Sequence, residues 1–184
     1  MSLFDYDKHI LELINHNRIR ALDSLFIHIT DTTYLVALLI PFFIFLYSYL
    51  KNDLSIKIKG WQMVASIAFD SIIITILKYS INRQRPFEID NHIEKLSSGG
   101  SPSFPSGHTS NAFLIATCIT ILFSNNKWLL SLIWLWAFAV AYTRLALGVH
   151  YPSDVIGGMI IGTSNAIIVN WIFMQKFTKK TNHV

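Results

Sequence analysis

Tyr142-Thr143-Arg144-Leu145-Ala146-Leu147-Gly148-Val149-His150-Tyr151-Pro152-Ser153-Asp154 joins the end of one apolar run to the start of the next. Pro152 suits the first turn of a helix, where its missing N–H would be unpaired in any case. Asp154 then falls in that first turn and His150 just before it. The carboxylate can reach back to one ring nitrogen of His150 and leave the other facing outward. An oriented histidine beside an arginine, where two candidate membrane spans meet, points to a nucleophile with an anionic substrate. A charged loop between two helices is the plain alternative, and the rest of the chain decides between them.

The composition puts that junction in a membrane. Of 184 residues, 52% are hydrophobic and 14% charged, with a mean hydropathy of +0.43. That is too apolar for an ordinary soluble domain, and the length suits one domain spanning 1–184. The net charge of +4 is modest. Basic residues cluster at the ends of apolar runs, which suits membrane topology better than a nucleic-acid footprint. The single Cys118 lies inside an apolar run and is read as packing. Residues 1–20 carry acids and bases throughout, without the continuous apolar stretch of a cleavable signal peptide.

Working outward gives an all-α, polytopic membrane bundle of five main spans, or six, preceded by an interfacial segment over 1–30. Residues 3–16 alternate Leu3, Phe4, Ile10, Leu11, Leu13 and Ile14 with charged residues, as an amphipathic helix lying at the interface would. Residues 22–30 read as a second interfacial turn or as the lead-in to the first span, with His28 structural. The spans are expected at about 33–50, kinked at Pro41, and at 60–80, 107–123, 128–146 and 153–175. A polar loop is expected over 51–59 and a tight turn at Asn125-Asn126-Lys127. Asp70 sits near mid-membrane, where an ionisable group is a functional candidate by default. It lies about two turns from Lys78, and is read as a protonated or hydrogen-bonded packing carboxyl. Gly158 and Gly162 form a small-xxx-small pair for close helix contact.

Five spans place the termini on opposite faces. One face carries Lys51, Lys57, Lys59, Lys127, Lys176, Lys179 and Lys180. With Lys78, Arg85 and Arg144 set aside for chemistry, that is seven basic residues against five on the other face, which makes the first face cytoplasmic. Trp61, Trp128 and Trp171 fall at that face, as an aromatic belt would. His108, His150, Asp154, Lys78 and Arg85 then lie at the outward ends of their spans.

Three stretches converge there: Lys78-Tyr79-Ser80-Ile81-Asn82-Arg83-Gln84-Arg85-Pro86, then Pro105-Ser106-Gly107-His108, then Arg144, His150 and Asp154. Lysine, six residues, Arg-Pro; Pro-Ser-Gly-His; and Arg, five residues, His, three residues, Asp: this set resembles the type-2 phosphatidic acid phosphatase superfamily. The three motifs occur in family order over residues 78–154, and jointly they are specific where Pro-Ser-Gly-His alone is not. One position departs: the family usually has Ser before the arginine of the third motif, where this chain has Thr143.

The resemblance implies an integral membrane lipid phosphatase working through a phosphohistidine. Phosphoryl transfer is mainly positioning plus stabilisation of negative charge on the transferred group. Lys78, Arg85 and Arg144 would clamp the phosphate. Ser106 and Gly107 would offer it a helix start with free N–H groups, and the Ser106 hydroxyl one further donor. His150 would be the nucleophile, Asp154 its orienting carboxylate and His108 the acid and then base. No metal or cofactor is implied, because Mg²⁺ sites need carboxylates and the only one here is committed to His150. Expected substrates are undecaprenyl pyrophosphate, phosphatidylglycerol phosphate or phosphatidic acid, with lipid A phosphates behind them. The expected location is the cell (inner) membrane, the site facing the periplasmic or extracytoplasmic side. A phosphotransferase passing the group to another lipid, or a non-enzymatic lipid-phosphate binding or flipping protein, are the alternatives. Arg83 matches no family position and is read as a surface charge; His9, His16, His92 and His183 are read as solvated.

Overall fold

The computed structural model describes residues 3–123 and 126–181. Among the described residues seven α-helices make up the fold: α1 Leu3–His16, α2 Asp23–Lys51, α3 Leu54–Ile81, α4 Pro86–Ile89, α5 Gly107–Leu122, α6 Lys127–Ala146 and α7 Pro152–Thr181, with a single 3₁₀ turn at Arg20–Leu22. Four of them (α2, α3, α6 and α7) are long and apolar enough to cross a bilayer, and α5 is a shorter apolar helix. The described residues contain no strand. His183 and Asn125 lie outside them.

α5 is the hub. Thr109, Ser110 and Ala112 through Ile119 are all buried, so the helix is enclosed on every side, as only a central helix can be. α7, α6, α3 and α2 surround it. At 16 residues it is about 24 Å long, less than the ~30 Å hydrocarbon core. α2 and α3 instead turn Leu35, Leu38, Phe42 and Ile72 outward, toward lipid tails rather than water.

Close packing fixes α7 on α5. A Cβ on Gly158 would come within 2.6 Å of the Ser106 carbonyl oxygen, and one on Gly162 would run into the Ser110 backbone. The small-xxx-small pair is thus the seam that brings the Pro-Ser-Gly-His stretch beside the start of α7. Asp70 lies in the same seam. Its carboxylate accepts from Ser110 Oγ at 2.8 Å and from Asn165 Nδ2 at 2.7 Å, which matches the hydrogen-bonded reading.

One expectation is corrected. Residues 51–59 are not a polar loop: only Asn52 and Asp53 separate α2 from α3. Asn52 ends α2 at φ 50°, and Asp53 caps α3 by accepting from Ser55 N at 2.8 Å. Lys59 is helical, and its ammonium donates to the Leu122 carbonyl at the end of α5. Residues 22–30 follow the second of their two readings, the lead-in to the first span: from Asp23 they are the first turns of α2, which runs on past Pro41 without a break.

α1 lies across the other end. Leu11 and Asn15 are fully buried, whereas Phe4, Tyr6, Ile10 and Leu13 are exposed. Asn15 donates to Ala146 O at 2.9 Å and takes Glu94 N at 2.9 Å. The helix is therefore stitched both to the end of α6 and to the long connection 90–106.

Candidate active site

The site forms where the end of α3, the start of α5, the end of α6 and the start of α7 meet that connection. Asn82 ends α3 at φ 47°, its N–H bonded to Lys78 O. Pro86 then starts α4, so Lys78 and Arg85 are carried on either side of a sharp corner. Gly148 allows the tight passage from α6 to α7. Its φ is +70°, and a side chain there would strike the Glu94 backbone carbonyl.

These turns deliver Lys78, Arg85, Gly107, His108, Arg144 and His150 to one cavity of about 170 Å³, closed by Tyr34 of α2 and by Ser98 to Ser101. Six of the eight residues singled out in the sequence thus meet. Asp154 and Ser106 lie behind the wall. The Ser106 hydroxyl shares a hydrogen bond with Thr109 Oγ1 at 2.9 Å, and its N–H donates to Asp154 O. Ser106 therefore ties the start of α5 to α7, and Gly107 is the residue of that pair that faces the cavity.

His150 is 1% exposed. Its Nδ1 faces Asp154 Oδ2 at 3.5 Å, and its Nε2 faces the cavity with Arg85 Nη1 3.4 Å away. The tautomer that fits carries its proton on Nδ1 and turns the Nε2 lone pair toward the cavity, where the 3.4 Å contact from Arg85 Nη1 is its one donor among the described residues. Burial first, and then the nearby Arg144 and Arg85 charges, push His150 down to about 3 against the pull of Asp154. The ring is therefore neutral at pH 7, as a nucleophile must be.

The three cations share one property. Lys78 donates to Pro102 O at 2.5 Å, Arg85 to Ser101 O at 2.8 Å and Val149 O at 2.7 Å, and Arg144 to Thr30 Oγ1 at 2.6 Å. Among the described residues none of the three is ion-paired with a carboxylate. Arg144 is 1% exposed, and its Nε has no hydrogen-bond partner. A buried guanidinium left in that state is costly unless a guest supplies the missing acceptors. His108 stacks edge-on against Tyr34 at 4.8 Å, and no hydrogen bond to a described residue ties its ring nitrogens. Thr143 turns its hydroxyl onto Val140 O at 2.7 Å within its own helix, so the departure from the family pattern lies off the cavity.

These motifs and the bundle that holds them have counterparts in known proteins. The profile of the PAP2 superfamily matches residues 59–178. The chain belongs to the PAP2 superfamily. Over 166 residues it is 30% identical to an undecaprenyl-diphosphatase of Sulfolobus acidocaldarius, covering 86% of this chain and 74% of that protein. Over 99 residues it is 40% identical to a lipid A 4'-phosphatase of Bacteroides thetaiotaomicron, covering 50% of this chain but only 44% of that protein. Among solved structures, LpxE of Aquifex aeolicus superposes with a TM-score of 0.74 at 31% identity, over 88% of this chain and 92% of the other. The protein is a multi-pass membrane hydrolase of the PAP2 lipid phosphatase family.

Sequence reading missed three residues of the site. Ser103 donates to Asp154 Oδ2 at 2.5 Å and stands 3.5 Å from His150 Nδ1. Thr30 receives Arg144 from a helix more than a hundred residues away. Arg83, read as a surface charge, instead donates to Asp154 Oδ1 at 2.7 Å. A lone hydroxyl in a Ser-rich loop gives no periodic signal, and Arg83 acquires its partner only through the tertiary fold.

Proposed function

We propose that the chain, as a single catalytic unit over 1–184, hydrolyses the phosphate monoester or pyrophosphate of a membrane lipid through a phosphohistidine on His150. The observation that carries this reading is the set of three cations, none ion-paired with a carboxylate among the described residues, around the cavity-facing Nε2 of a buried, neutral histidine. Lys78, Arg85 and Arg144 hold the phosphoryl oxygens. His150 Nε2 attacks phosphorus in line, and the phosphorus–oxygen bond to the lipid breaks as His108 gives its proton to the leaving oxygen. Asp154 stabilises the imidazolium that forms. Water then attacks the phosphohistidine while His108 takes its proton, which frees phosphate and restores the enzyme. No step needs a metal, and phosphate release in EDTA is the expected check.

Undecaprenyl pyrophosphate, lipid A phosphates, phosphatidylglycerol phosphate and phosphatidic acid are the substrate classes to try. The names of the relatives support the first two. The enzyme lies in the cell (inner) membrane with its cavity toward the periplasmic or extracytoplasmic side. The lysines of the opposite face support that orientation. Cysteines at positions 55 and 100 should label from opposite sides; equal labelling from outside overturns it.

The test is phosphate release from that panel in detergent micelles. Release from one class above the others, abolished in His150→Ala, is expected. Radiolabel passed to a second lipid instead of to water indicates a phosphotransferase. Lipid translocation without phosphate release indicates a flipping protein.

A further inference from the structure

Asp154 is held at both ends. Its Oδ2 takes Ser103 Oγ, the Tyr151 N–H at 2.9 Å and His150 Nδ1. Its Oδ1 takes Arg83 Nη1 at 2.7 Å. A carboxylate anchored through one oxygen can still rotate, because its terminal torsion is broad. Anchored through both, its plane is fixed, and so is the direction in which it holds His150.

Arg83 is itself held from three sides. Nη1 also donates to Ser153 Oγ at 2.6 Å, and Nη2 donates to Asp7 Oδ2 at 2.7 Å. The guanidinium lies over the Tyr151 ring at 4.1 Å. Asp7, 6% exposed, comes from α1. Its Oδ1 accepts the Ser153 N–H at 2.8 Å, an otherwise orphaned donor in the first turn of α7, and its carboxylate also accepts from Ser153 Oγ. A row of alternating charge therefore runs from α1 through the corner after α3 into α7: Asp7, Arg83, Asp154, His150. Neither Asp7 nor Arg83 lines the phosphate cavity.

We infer that Asp7 and Arg83 are positioning residues for the Asp154–His150 pair, which makes the N-terminal helix part of the catalytic apparatus as well as an interfacial element. The inference rests on His150 being the nucleophile. His150 faces Arg85, Arg144, Lys78 and His108 around the cavity and Asp154 behind it, with Arg83 and Asp7 in the next positions outward. Removing the Arg83 charge leaves two carboxylates uncompensated and favours the imidazolium. Removing the Asp7 charge does the reverse.

The test is the pH profile of kcat/KM for purified full-length variants on one lipid phosphate. The ionisation of the substrate is common to all variants and cancels in the comparison. Arg83→Gln should lower kcat roughly ten- to hundredfold through misorientation and move the acid limb up by about half a unit or more. Asp7→Asn should move the same limb down, and Arg83→Lys should lower kcat while leaving it in place. KM should stay within about twofold in all three, since none touches the phosphate. If Arg83→Gln does not fold, the other two variants decide by the same criteria. Activity losses with an unmoved limb in Asp7→Asn and in Arg83→Gln, or wild-type kcat in both, overturn the inference. His150→Ala separates the two levels. An active His150→Ala removes the nucleophile reading, whereas an inactive one beside unaffected Arg83 and Asp7 variants removes this inference alone.

Discussion

The cations at the cavity end of the bundle fall into two groups. Around the cavity, Lys78, Arg85 and Arg144 donate to carbonyls, a hydroxyl and a histidine nitrogen, and none is ion-paired with a carboxylate among the described residues. In the surrounding frame, Lys8 pairs with Asp90, Arg18 with Asp23 and Glu94, Arg20 with Glu94, and Arg83 with Asp7 and Asp154. Both groups include arginines under 10% exposed: Arg85 and Arg144 in the first, Arg18 in the second. Burial therefore does not distinguish the cavity cations from those of the frame; the identity of their acceptors does. A buried charge whose partners are all neutral leaves attraction unspent for an anionic guest.

The contrast breaks if the two groups respond alike to substitution. Arg144→Met should lower kcat/KM by roughly two to three orders of magnitude, the scale for losing one transition-state donor. The melting temperature of that variant should hold or rise, because an uncompensated buried charge has gone. Inorganic phosphate should raise the melting temperature of the wild type but not of this variant. Arg18→Ala should show the opposite signature. It leaves Glu94 and Asp23 without their shared guanidinium, costing about 1–3 kcal/mol of stability, with kcat/KM changed less than about tenfold. Chemical denaturation and phosphate release on the same preparations measure both.

Smaller effects sharpen the boundary. Thr143→Ser should leave kcat/KM within about twofold, since the hydroxyl serves its own helix at Val140 O and only a methyl is lost. Arg20→Ala should cost under about 1 kcal/mol, because its side chain is 72% exposed and its ion pair is screened. A large loss of activity in either would move that residue into the first group.

The same division explains what could be read from the chain. The spans were legible because each is a long apolar run with its own stop signal, and the three motifs because their spacing survives any folding. α1 was legible as amphipathic, but the face it buries is Asp7, Leu11 and Asn15, whose partners lie on α7, on the 90–106 connection and at the end of α6. Polar partners 47 or more residues apart carry no local pattern, so Arg83 read as a surface charge and Ser103 went unmarked. Lys57 and Lys59 made 51–59 look like a loop, because a lysine at a helix end can extend toward polar surroundings without breaking the helix. Gly148 is one of the five residues between Arg144 and His150, and only the carbonyl of Glu94 behind it shows why no side chain fits there.

The central claim is that His150 takes the phosphoryl group. It is tested most directly by quenching the enzyme in alkaline detergent during turnover of a lipid carrying radiolabelled phosphate. The account predicts acid-labile label on the wild-type protein and none on His150→Ala. Label on His150→Ala, or wild-type phosphate release from it, would contradict the account.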